Sequence, residues 1–537
     1  MFAGPTWGSH KIHRVGFVTR RRGVVAVPAG LSVVNLEVSV MAIRVAAVPG
    51  AAPAVALPAL VQEGGVGLPP TAYDLPEDAR AEAMELLGDL DAEAGATCVL
   101  RRPLRTPGRL LLVHAGSGDE AGWRVAGAAV SRAFEDESSI TVAMPADVSP
   151  AAVRGLAEGL SLAAYRFSMR DESAAEREVT VVVDDPARYA EALATALATA
   201  DATRLARDLT NTPSSLKNPA WFVDQVVAAV DGRPGLSVTV REPEQLAAEG
   251  FGGILAVGGG SASPPRLVEL SWRPERARTH VVLVGKGITF DTGGISIKPV
   301  DGMKLMRKDM GGAASIVAAT LGAAALDLPV RVTALAPLAE NLLSGSAFRP
   351  GDVVRHYGGL TSETTNSDAE GRLVVADALA YAVERLSPDL LVDLATLTGA
   401  NAVALGKRTA ALYSDSDELA ADLIGAAAEA GEQAWRMPLA ADYVEYLGSD
   451  VADLYSAPDR GAGSVTAALF LREFVGDRRE RWVHVDMSAP SWADSADGVL
   501  SKGATGWGVR TLLRWLAALP AAPEDEKVGS GVLDGGE

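Results

Sequence analysis

The chain has 537 residues, 68 of them Asp or Glu and 49 Lys or Arg, which leaves a formal net charge of −19. That length exceeds one ordinary domain and allows two with sizeable cores, while the charge repels a phosphate backbone and argues against nucleic acid as a partner. The single cysteine, Cys98, excludes an internal disulfide framework and a thiolate-built metal site and fits a reducing, cytoplasmic setting; no apolar run reaches the ~18 uninterrupted residues that a membrane span needs.

In chain order, Arg20, Arg21 and Arg22 precede "GVVAVPAGLSVV", the outline of a signal peptide, but Pro28 and Gly30 interrupt it and no clear small-residue cleavage site follows. Residues 1–40 are read as a disordered extension or as a start placed too early, since "MAIRVAAVPG" from Met41 opens a domain naturally. From 41 to 184, strand-like runs such as "RLLLVHAG" and "VTVVV" alternate with amphipathic segments such as "SPAAVRGLAEGLSLAAYRF", which predicts a smaller N-terminal α/β domain. Asp185 as N-cap and Pro186 at the first helical position open an alanine-rich linking helix over 185–212. Over 213–519 the compact runs "HVVLVGKG", "VRVTALAPL", "DLLVDLATL" and "WVHVDM", separated by helical segments, predict a larger α/β domain with a mostly parallel central sheet flanked by helices. The tail, 520–537, is rich in Pro, Gly and acid and reads as disordered.

The chemistry sits in the larger domain. "VVLVGKGITFDTGGISIKP" is a buried strand followed by a glycine-rich loop carrying Lys286, Asp291 and Lys298, at the strand end where open parallel sheets place ligands. Asp309 opens an apolar, alanine-rich helix, where the helix dipole alone favours a carboxylate. In "NSDAEGRL", residues 366–373, Asp368, Glu370 and Arg372 stand at every second position. Such positions share a face only on an extended backbone, and Gly371 speaks against a helix interior, so the stretch is read as extended with the helix beginning at Leu373. An acid cluster ahead of a helix, with an internal arginine pair, accounts for this motif equally well. Taken together, however, four carboxylates and Lys286 lie at strand ends and helix starts of one domain, and carboxylates so gathered repel unless cations compensate. Two divalent ions cancel four negative charges, and a pair about 3.5–4 Å apart acidifies a shared water, which points to a hydrolase. The six histidines are scattered without a His-Glu-x-x-His pair, which excludes a histidine-based zinc protease.

Six stretches, "VGKGITFDTGGISIKP", "MRKDMGGAAS", "NSDAEGRLVVADAL", "DLATLTGA", "GSVTAALFLREFV" and "KGATGWGVRTLLRWL", resemble in order and interval the signatures of the leucyl aminopeptidase (cytosol aminopeptidase) family over roughly Ala202 to Leu516. Ser367 and Thr292 depart from the family's usual Thr and Ser without touching an implied ligand, and "MSAPSW" departs at the rim of the side-chain pocket. The resemblance implies a two-metal exopeptidase that releases N-terminal, leucine-like residues by attack of a hydroxide bridging two Mn2+ or Zn2+ ions. One ion would be held by Asp291, Asp368 and Glu370, the other by Lys286, Asp291, Asp309 and Glu370. Lys286 must then be a neutral amine, far below its free pKa of about 10.4. Lys298 would hydrogen-bond the oxyanion, and Arg372, through a bound bicarbonate, would assist proton transfer. Met306, Thr396, Leu397 and Gly399 would line the side-chain site. A homohexamer acting on peptides with a free N-terminus in the cytoplasm completes what the family implies.

Overall fold

A computed structural model describes residues 41–47, 53–62, 65–170 and 177–520, so the extension over 1–40 and the tail beyond 520 lie outside the described residues. Its first sheet runs in the order Met41–Ala46, Arg177–Val182, Ser139–Ala143, Ala54–Gln62, Arg109–His114 and Thr97–Arg101. All of these neighbours pair in parallel except the last, an antiparallel edge. Two helices, Glu120–Ala133 and Pro150–Ala164, cover one face of that sheet together with the start of the linking helix.

The linking helix begins where the sequence signals it. Asp185 accepts a hydrogen bond from Ala187 N, Pro186 opens a short 3-10 turn, and the α-helix follows over Ala190–Asn211. It packs on both Pro150–Ala164 and helix Gly311–Ala325 of the larger domain. Arg207, fully buried on this helix, donates to the carbonyls of Leu162 (2.9 Å), Thr505 (2.9 Å) and Val499 (3.1 Å), tying three segments together.

The second sheet has nine strands among the described residues. Its centre is four parallel neighbours, Trp482–Asp486, Leu390–Ala395, His280–Gly285 and Arg331–Asn341. Gly287–Asp291 pairs in parallel with the far end of Arg331–Asn341, and Arg266–Trp272 and Leu236–Arg241 add an antiparallel edge. The apolar run in His280–Gly285 has no polar alternation because both faces are buried: Val281 and Leu283 enter one core with helix Gly311–Ala325, Val282 and Val284 the other with helix Glu370–Tyr381. The two-domain α/β architecture and the mostly parallel central sheet agree with the sequence. No helix among the described residues is long and apolar enough to cross a membrane.

Candidate metal centre

Parallel strands deliver their C-terminal ends to one edge, and the chemically distinctive side chains collect there. Lys286 follows His280–Gly285, Asp291 ends Gly287–Asp291, Asn341 ends Arg331–Asn341 and Thr396 follows Leu390–Ala395. Asp309 and Glu370 reach the same point from the residues leading into Gly311–Ala325 and from the first turn of Glu370–Tyr381. Asp291, Asp309 and Glu370 are 1–4% exposed, and each offers an oxygen within 4.8 Å of the others.

Lys286 Nζ stands 2.8 Å from both Asp309 Oδ2 and Glu370 Oε1 and donates to the Thr396 carbonyl at 2.9 Å. Among the described residues Lys286 is the one cation beside Asp309 Oδ2 and Glu370 Oε1, so a single buried ammonium faces both carboxylates. Lys298 Nζ lies 2.7 Å from Asp291 Oδ2 and also pairs with Asp368. Four carboxylates against two ammonium groups leave the centre two negative charges in excess.

The protonation equilibria register that excess. Burial pushes Asp291 up to about 6, the charge of Glu370 adds to it, and Lys298 and Lys286 oppose it. Burial likewise raises Asp309 and Glu370 against the pull of Lys286. For Lys286 burial acts downward, but the charges of Asp309, Glu370 and Asp291 overcome it and hold the amine above its ordinary value. A neutral Lys286 therefore requires cations that take over those carboxylates. Buried carboxylates gathered within 4.8 Å, surplus negative charge and an oxygen-and-amine donor set fit divalent cations.

The backbone of "NSDAEGRL" differs from the extended reading. Asn366 organises a turn, accepting Asp368 N at its side chain (2.9 Å) and Ala369 N at its carbonyl (3.0 Å), and the helix starts at Glu370 rather than Leu373. Asp368 pairs with Lys298 and Glu370 with Lys286, the two cations that also flank Asp291 and Asp309. Gly371 sits inside the first helical turn because the Lys286 stem crosses it: a Cβ there would stand 2.4 Å from Lys286 Cε. Arg372 is buried and donates to the Ser456 carbonyl at 2.7 Å; burial pushes its guanidinium down to about 10, with Glu370 and Asp486 pulling the other way.

Of the four residues expected to line a side-chain pocket, Thr396 is buried and donates its hydroxyl to Asp309 Oδ1 at 2.7 Å. Met306 is partly buried in the turn before Asp309, Leu397 packs against the core beside Glu370–Tyr381, and Gly399 is exposed at the start of Ala400–Leu405. Two supporting residues escaped the sequence reading. Asn341 Nδ2 donates to Asp291 Oδ1 (2.8 Å) and to the Ser367 carbonyl (2.9 Å). Asp486 gathers Leu397 N, Thr398 N, the Thr398 hydroxyl and Asn401 Nδ2, fixing the loop after Thr396. Their signal was position, since each is the last residue of a central strand.

Comparison with known proteins bears directly on this arrangement. The model of the cytosol aminopeptidase catalytic domain matches residues 204–513, and that of the same family's N-terminal domain matches residues 68–169. The chain belongs to the cytosol aminopeptidase family. Members are metal-dependent aminopeptidases, and the buried carboxylate cluster lies within the matched catalytic domain. A probable cytosol aminopeptidase of Micrococcus luteus is 46% identical over 431 residues, covering 75% of this chain and 84% of the relative. One from Corynebacterium glutamicum is 41% identical over 455 residues, covering 82% and 88%. Among solved structures, the bottromycin maturation enzyme BotP in complex with Mn aligns with a TM-score of 0.76 and 38% identity over 87% of this chain and 99% of that one. A mutant of tomato leucine aminopeptidase aligns at 0.78 with 28% identity over 90% and 98%.

Proposed function

We propose that this cytosol aminopeptidase is a two-metal leucyl aminopeptidase that removes leucine-like residues from the free N-terminus of peptides. The observation that carries the reading is the convergence of Asp291, Asp309 and Glu370, buried and within 4.8 Å, on a lysine amine 2.8 Å from two of them. Asp291, Asp368 and Glu370 would hold one Mn2+ or Zn2+, and Lys286, Asp291, Asp309 and Glu370 the other. Such ions, when bound, supply the charge that polarises a carbonyl and acidifies water.

The chain's own residues do the rest. Asn341 and Gly293 N keep Asp291 Oδ1 oriented, each at 2.8 Å, and Thr396 keeps Asp309 Oδ1 oriented. Lys298 stays charged because Asp291 and Glu370 outweigh the burial that acts to discharge it, so it serves as a preorganised donor to the oxyanion. Arg372, held by its bond to the Ser456 carbonyl, would bind a bicarbonate, which when bound would supply a base for proton transfer. Met306, Thr396, Leu397 and Gly399 border the side-chain site. The reading assigns 41–184 to an accessory domain, 185–212 to the linker and 213–519 to catalysis, in a cytoplasmic homohexamer.

Turnover of leucine p-nitroanilide tests the activity. Wild type is expected to hydrolyse it, the N-acetylated analogue to resist, and Glu370→Ala to lose at least about 10²-fold in kcat. Undiminished turnover by Glu370→Ala overturns the assignment.

A further inference from the structure

Lys217 is 0% exposed, and its two hydrogen-bond acceptors are backbone carbonyls: Thr210 at 2.8 Å and Arg307 at 2.6 Å. Thr210 belongs to the last turn of the linking helix, whose final carbonyls have no partner within the helix. Arg307 lies in the 3-10 turn Met306–Lys308 that leads into Asp309. Burial drives the lysine well below its ordinary value, and Arg307 adds to this while Asp309 opposes it.

The same short turn touches a second catalytic backbone. Leu216 N and Lys217 N close it on the Pro213 carbonyl, and Ser214 donates to the Thr289 carbonyl at 3.0 Å, two residues before Asp291. One turn thus grips the strand that presents Asp291 through Ser214 and the turn that presents Asp309 through Lys217.

We propose that Lys217 is a positioning residue for the metal centre: through the Arg307 carbonyl, and with Ser214 on Thr289, it sets the separation between the Asp291 and Asp309 carboxylates. The inference rests on the two-metal reading. Replacing Lys217 by an apolar chain frees the 306–308 turn, lets Asp309 drift, and weakens cation binding without touching a ligand, as loss of outer supporting contacts does.

The test is calorimetric titration of MnCl2 into the EDTA-stripped full chain. Lys217→Met is expected to raise the Kd for Mn2+ about tenfold, with kcat falling more than KM changes, and Ser214→Ala to raise it less. Should Lys217→Met not fold, Lys217→Gln takes its place, because its shorter amide cannot reach both carbonyls. Wild-type Mn2+ affinity in the folded variant, with only the melting temperature lowered, reduces Lys217 to a structural anchor and overturns the inference. Failure of wild type itself to bind Mn2+ is a different result and overturns the metal-centre reading.

Discussion

Asp291 shows what this centre demands of a single side chain. Its Oδ1 accepts from Asn341 and Gly293, its Oδ2 faces Lys298, and burial beside Glu370 still raises it to about 6. A folded-state pKa above the unfolded one means that the native chain binds the proton more tightly. This group's contribution to the stability of the stripped protein therefore falls as pH rises from about 4 through about 6. Cation binding has the opposite sign, because protons and metal compete for the same oxygens and for the Lys286 amine. Mn2+ affinity should fall by an order of magnitude or more between about pH 7 and pH 5, measured by titration calorimetry. An affinity flat across that interval would contradict the assignment of Asp291 as a ligand.

Helix Glu370–Tyr381 shows how an element places chemistry. Asp377, buried one face along, accepts from Ile254 N (2.9 Å) and Tyr357 N (3.1 Å) and pairs with His356 at 3.0 Å, while His356 Nε2 meets the Ser362 hydroxyl at 2.8 Å. This serine–histidine–aspartate chain has the connectivity of a hydrolytic triad, but all three residues are 0–1% exposed, so it fixes the helix and meets no substrate. At the other end of the helix Gly371 leaves room for the Lys286 stem. Gly371→Ala, favourable by helix propensity alone, is expected to displace Lys286 and cut kcat on leucine p-nitroanilide by about 10²-fold while the protein stays folded by circular dichroism. Wild-type kcat in that variant would show that the contact is not needed. The start of this helix was not legible in the sequence because glycine reads as a breaker, and the reason for it is a side chain from another strand.

Across the whole molecule, what the sequence disclosed follows one rule. The strand-end residues Lys286 and Asp291 could be found because a buried parallel strand is a continuous apolar run and its end is marked by glycine and charge. Asn341 and Asp486 had only their strand-end position to mark them, without glycine beside it, and they act through atoms that come together only on folding. The joint between the two sheets was equally hidden. Arg132 donates to the Gly498 and Leu500 carbonyls at 2.6 and 2.7 Å, and Arg124 reaches the Glu429 carbonyl at 3.0 Å, where no periodicity announces a partner. This scaffold holds four carboxylates and two lysines at one edge with negative charge to spare, and the account turns on cations making up the difference. The most direct test is elemental analysis of the intact chain after dialysis against Mn2+ or Zn2+, beside Asp291→Asn. The account predicts two ions per chain in wild type and fewer in the variant; a wild-type chain that retains none, yet hydrolyses leucine p-nitroanilide, would contradict it.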